Sequence, residues 1–284
     1  MSSAGARLDD LIRIMATLRG PDGCPWDRVQ TLASLRPFLL EETYEALEAL
    51  DAGDPTGLRE ELGDLLFEIV FLARIAEEQG DFTIADAIDG VAAKLVRRHP
   101  HVFGDADKLS QAEEVRGRWE ELKAAERTGS DKTTTKTLLS GVPITLPALL
   151  RAYEYSSRAA TVGFDWVKAA DVLDKMEEEL REIRGAVEND VHTHEGAEAQ
   201  RRDARVEEEI GDLLFAIANL ARKLGVEPEA ALRMANDKFQ RRFEGMEEHL
   251  RSSGRHPRDL SLDELEEQWQ RVKRDEAGRD ADRG

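Results

Sequence analysis

The sequence predicts an all-α protein built from two tandem copies of one helical unit. Three observations carry that prediction: where proline falls, how apolar residues are spaced between prolines, and a set of motifs that recurs in order in the second half. The nine prolines sit at 21, 25, 37, 55, 100, 143, 147, 228 and 257, so 56–99, 101–142 and 148–227 lack the strongest local breaker of helices. No stretch shows a comparably sustained strand alternation.

In chain order, the first half opens with Gly23-Cys-Pro-Trp-Asp27, where Cys24 reads as a small packing residue in a turn. Then come Glu41-Glu42-x-x-Glu45, Glu61-Leu-Gly-Asp64-Leu-Leu-Phe67 with Leu72-Ala-Arg74, Lys94-x-x-Arg97-Arg98, and Trp119-x-x-x-Lys123. Residues 125–142 lose apolar periodicity, gather Thr, Ser, Gly and Lys, and suit a linker. The order then repeats. Leu173, Met176, Leu180, Ile183 and Val187 step at helical intervals beside Glu178-Glu179-x-x-Glu182. A polar loop is expected over 187–200, followed by Glu209-Ile-Gly-Asp212-Leu-Leu-Phe215 with Leu220-Ala-Arg222, Lys238-x-x-Arg241-Arg242 and Trp269-x-x-x-Lys273. The shift is 137 for the first acidic motif and 148 for the second, and an 11-residue insertion in that loop accounts for the difference. A period this long means duplicated domains rather than a solenoid. The expected layout is an N-terminal helical domain over 8–124, a C-terminal one over 143–275, and a disordered tail over 276–284.

A net charge of −19 opposes attraction to phosphate polymers and excludes a nucleic-acid-coating role. No run approaches the roughly 18 apolar residues of a membrane span, so no membrane partner is expected. One cysteine cannot close an intrachain disulfide, and the segment MSSAGARLDDLIR lacks the apolar core of a signal peptide. The expected location is the cytoplasm.

Asp and Glu number 59 of 284, so a lone E-x-x-E usually marks a solvated helix face. Placement raises its significance. On an ideal helix, Glu179 and Glu182 fall roughly 80° and roughly 140° from the centre of their apolar stripe, and Glu209 and Asp212 fall at roughly the same angles on theirs. Each helix thus carries an acidic pair at one edge of its core stripe. The helix after Asp212 is nearly all apolar and is expected to be buried, where converging carboxylates would be costly without cations. Oxygen-only ligation points to Mg²⁺ or Mn²⁺. A ferritin-like di-iron site needs Glu-x-x-His, and none of the six histidines has Glu three residues before it. A carboxylate-held hard cation suits phosphoanhydride chemistry, because it neutralises phosphate oxygens and activates water. Lys238, Arg241 and Arg242 would supply cationic contacts to a triphosphate, as Lys94, Arg97 and Arg98 would in the first half. The competing explanation is a basic helix C-terminus complementing its dipole. Trp269 is a candidate base-stacking residue and Lys273 a candidate phosphate contact. No GxxxxGK[ST] or G-x-G-x-x-G motif is present.

These residues resemble the tandem-domain MazG nucleoside triphosphate pyrophosphohydrolases of the all-α NTP pyrophosphatase superfamily. The resemblance rests on Gly23-Cys-Pro-Trp-Asp27, Leu39-Leu-Glu-Glu-x-Tyr-Glu45, Glu60-Glu-Leu-Gly-Asp-Leu-Leu-Phe67, Arg97-Arg-His-Pro-His-Val-Phe103, Val162-Gly-Phe-Asp-Trp166, Glu208-Glu-Ile-Gly-Asp-Leu-Leu-Phe215 and Lys238-Phe-Gln-Arg-Arg-Phe243. It implies cleavage between the α- and β-phosphates of (deoxy)nucleoside triphosphates, giving a monophosphate and pyrophosphate, in nucleotide-pool cleansing. It also implies helical bundles assembled through a homodimer. Carried over by motif position, Glu179, Glu182, Glu209 and Asp212 would bind Mg²⁺, with Glu178 an additional ligand or a base positioning water. The first-repeat equivalents are Glu42, Glu45, Glu61 and Asp64, with Glu41 in the additional place. Lys238 and Arg242 would contact the triphosphate. Both halves keep a full carboxylate set, and the resemblance favours the second as the active copy. The alternative is a non-catalytic helical dimerisation or regulatory module that binds nucleotide without reacting.

Overall fold

The computed structural model describes residues 3–104, 111, 115, 118, 137–188 and 197–281, and every regular element among them is helical. The chain divides into two compact units, Met1–Lys123 and Ala124–Gly284. None of the described helices is long and apolar enough to cross a membrane.

The first unit contains α1 (Ala4–Leu18), α2 (Pro25–Val29), α3 (Arg36–Ala52), α4 (Pro55–Gln79), α5 (Ile84–Arg98) and the single turn α6 (Pro100–Phe103). Helix boundaries follow the local chemistry. Gly53, at φ 64°, ends α3 in the left-handed conformation, and Asp54 caps α4 by accepting from the Thr56 amide at 2.9 Å, with Pro55 at the first helical position. This sharp reversal makes α3 and α4 a packed hairpin. Gly80 ends α4 in the same way, and Thr83 with Asp86 closes a capping box on α5. α1 lies on α4, and the core is Met15, Leu35, Val70, Phe71 and Ile75, with Phe38 and Phe67 packed against it.

The second unit contains α7 (Ala148–Ala160), α8 (Ala169–Glu188), α9 (Ala197–Lys223), α10 (Pro228–Ser252), a 3-10 turn (Pro257–Asp259) and α11 (Leu262–Ala281). α9 packs on α8 and α7, while α10 packs on α7, α9 and α11. Asp165, in the loop before α8, ties that loop to the end of α9. It accepts hydrogen bonds from Arg222 and, at 2.6 Å, from Lys223.

Three sequence expectations differ from what is observed. The helix carrying Asp212 is buried on one face only: Ala216, Ala218 and Asn219 are buried, whereas Ile210, Leu214, Phe215 and Ile217 are 36–46% exposed. Its packing on α7 and α8 covers one side and leaves the other apolar side outward. The polar loop is narrower than 187–200, since α8 runs to Glu188 and α9 begins at Ala197. Residues 276–281 continue α11, and Glu276 there pairs with Arg242 at 2.6 Å and Arg241 at 3.1 Å.

Candidate active site

Each unit brings three carboxylates together on a pair of packed helices. In the second, Glu179 and Glu182 of α8 meet Glu209 of α9; in the first, Glu42 and Glu45 of α3 meet Glu61 of α4. Within each triad one oxygen from every residue lies within 4.8 Å of the others. The i, i+3 spacing places two acids on one helix face, and the packed neighbour supplies the third.

The electrostatics are those of crowded anions. A hydrogen bond shared with Glu209, then that carboxylate's charge, then burial, push Glu182 above the ordinary glutamate value of 4.5. Burial followed by the charges of Asp64, Glu45 and Glu61 raises Glu42, and burial followed by Glu45 and Asp64 raises Glu61. Glu179 is the deepest member, with its side chain 4% exposed, and its Oε2 is buried without a hydrogen-bond partner. Three converging oxygens and an orphaned buried acceptor fit a hard divalent cation.

The remaining predicted ligands lie around these triads. Asp64 is exposed but close enough to raise both Glu42 and Glu61. Asp212 is exposed, one turn beyond Glu209, and stands outside the triad. Glu178 and Glu41 are exposed, and Glu178 accepts from Lys175 at 3.0 Å.

The structure adds two cations that spacing did not single out. Lys175 lies 2.7 Å from Glu179, and its hydrogen bonds to Glu179 and then Glu178 hold its ammonium well above the usual lysine range. Arg205 lies 3.6 Å from Glu209. Both are i, i+4 partners of candidate ligands, but such pairs are frequent in a chain with 35% charged residues.

The predicted phosphate-binding cluster is arranged differently. Lys238 is exposed on α10, while Arg241 and Arg242 turn to Glu276 of α11 and not to the triad. Trp269 packs on Phe239, ring centroids 5.2 Å apart, at the α10–α11 contact, and Lys273 is exposed. In the first unit Lys94 and Arg97 are exposed and Arg98 is half-buried, with both arginines in the last turn of α5. Trp119 and Lys123 lie outside the described residues.

Comparison with known proteins places the chain in a family. The model of the MazG nucleotide pyrophosphohydrolase domain matches residues 30–103, a span that holds the whole first triad. A nucleoside triphosphate pyrophosphohydrolase of Escherichia coli (strain K12) is 44% identical over 95% of this chain and 98% of its own length. The nucleoside triphosphate pyrophosphohydrolase/pyrophosphatase MazG of Thermotoga maritima is 43% identical over 96% of this chain and 98% of its own. With similarity spanning both repeats, the chain belongs to the MazG family of nucleotide pyrophosphohydrolases.

Proposed function

We propose that this protein hydrolyses nucleoside and deoxynucleoside triphosphates at the α–β phosphoanhydride, releasing a monophosphate and pyrophosphate, with Mg²⁺ as the physiological cation and Mn²⁺ as a substitute. The observation that carries the proposal is the repeated carboxylate triad, in which a buried oxygen of Glu179 has no partner. Glu179, Glu182 and Glu209 would hold the cation in the second unit, and Glu42, Glu45 and Glu61 in the first; Asp212 and Asp64 are additional ligands. The bound cation supplies charge neutralisation at the phosphate oxygens and lowers the pKa of water.

The chain's own groups do the rest. Glu178, exposed beside Glu179, is either an additional ligand or the base that positions water. Lys175 and Arg205 neutralise the second triad while it is empty of substrate, and they turn to phosphate oxygens once the carboxylates are otherwise engaged. The second unit is the main turnover centre, a preference that rests on the family resemblance. Lys238 contacts the triphosphate, joined by Arg241 and Arg242 after their release from Glu276; Trp269 offers a ring to the base, and Lys273 reaches a phosphate.

The functional form is a homodimer. Ile210, Leu214 and Ile217 of α9 and their repeat equivalents Leu62, Leu66 and Ile69 of α4 are exposed in the single chain. Fully burying one such side chain contributes about 1.5–3 kcal/mol. The role is removal of unwanted triphosphates from the nucleotide pool. Phosphorus NMR of products from a panel of ribo- and deoxynucleoside triphosphates, with and without Mg²⁺, tests the reaction. Monophosphate plus pyrophosphate is expected with Mg²⁺ alone; diphosphate plus orthophosphate contradicts the proposal.

A further inference from the structure

The two carboxylate clusters are not equivalent, and the difference lies beneath the first one. Glu68 of α4 is 4% exposed, and its Oε2 is buried with no hydrogen-bond partner. It follows Glu61 by seven residues and Asp64 by four, so the three carboxylates share one face of α4, with Glu68 at the core end beside Val70 and Phe71. That face meets α3, the helix that carries Glu42 and Glu45.

The second repeat has no carboxylate at the equivalent place, although Oε2 of Glu179 in its cluster is likewise buried without a partner. At the shift of 148 that superimposes Glu61 on Glu209 and Asp64 on Asp212, Glu68 falls on Ala216, which is buried. At the shift of 137, Phe38 takes the place of Lys175. The second cluster therefore carries Lys175 on Glu179 and Arg205 on Glu209, while the first has an extra buried carboxylate and no lysine at that place.

We infer that Glu68 makes the first cluster the tighter of two unequal divalent-cation centres, one that holds a cation without nucleotide, whereas the second fills together with its substrate. The inference rests on reading both clusters as cation sites. An apolar side chain would satisfy the packing at position 68, as Ala216 does at its counterpart; an unpartnered carboxylate is satisfied there by a hydrated cation in the cluster above it. Glu68 is thus a positioning residue for the first centre.

Titration of the full chain with Mn²⁺, followed by the electron paramagnetic resonance signal of free ion, tests this directly. E182Q/E209Q leaves only the first centre and E45Q/E61Q only the second. The first centre alone is expected to bind Mn²⁺ more tightly than the second alone. Adding E68Q, which keeps shape and removes charge, weakens the first centre about tenfold or more. E68A does the same, with circular dichroism confirming that the helices remain. Unchanged affinity in E68Q overturns the role of Glu68 while leaving the first centre a cation site. Absence of Mn²⁺ binding in E182Q/E209Q overturns the inference differently, because the cation reading of the first cluster fails with it.

Discussion

Glu182 and Glu179 illustrate how two residues one turn apart take different states. Glu182 is exposed and raised by its neighbour Glu209, while Glu179 is buried and anchored by Lys175. Glu182→Gln is expected to lower metal-dependent turnover by at least tenfold to a hundredfold, since even partners that only orient ligands are worth that much. Lys175→Met removes the built-in counter-ion. The metal-free variant is expected to melt lower than wild type at neutral pH and to gain more from millimolar Mg²⁺ in a thermal-shift series. The pH dependence of the metal-free chain has a defined sign. Glu42, Glu61 and Glu182 bind their protons more tightly folded than unfolded, so their contribution is full below the ordinary value of 4.5 and is lost as pH rises through the raised values. Asp165 runs the other way. Burial raises it, but the hydrogen bonds from Arg222 and Lys223 outweigh burial and hold it low, so its stabilisation is lost as pH falls through that lowered value. Melting with and without Mg²⁺ across the acid range separates the two: Mg²⁺ is expected to matter most at the higher pH.

At the scale of elements, the site depends on two helix pairs whose geometry local sequence dictates. Gly53 turns α3 into α4 at φ 64° with open space around its Cα, so Gly53→Ala is opposed by conformation alone, at about 1–2 kcal/mol. Asp165→Asn leaves Arg222 and Lys223 without their partly buried counter-ion and is expected to destabilise the second unit by about 2 kcal/mol in urea unfolding. The helices and the acidic pairs were legible in the sequence because proline placement, 3.6-residue periodicity and the repeated motifs encode them; that Asp64 and Asp212 stand outside the triads was not. The cations on the second triad were not, since i, i+4 pairs such as Lys175 with Glu179 are common on any charged helix. Glu68 was hidden for a different reason: it lies within an apolar run, where only the packing of α3 on α4 reveals that its carboxylate is buried. Glu276, at the start of the expected tail, pairs with Arg241 and Arg242 of another element, which spacing along the chain cannot reveal.

For the whole molecule, duplication explains why equivalent apolar faces recur on α4 and α9, and the proposed homodimer would cover them. Leu214→Asp and Leu66→Asp each place a charge on such a face, and each is expected to shift the chain from dimer toward monomer in sedimentation equilibrium with the helical signal retained. A net charge of −19 keeps triphosphates at a distance unless divalent cations screen it, so activity is expected to require free Mg²⁺ beyond that bound to nucleotide. The most direct measurement is product analysis by phosphorus NMR on wild type, Glu45→Gln, Glu182→Gln and the double variant, each with and without Mg²⁺. The account predicts monophosphate and pyrophosphate from the wild type with Mg²⁺, a large loss in Glu182→Gln, and none of either product from the double variant. Full Mg²⁺-dependent turnover in the double variant would contradict it.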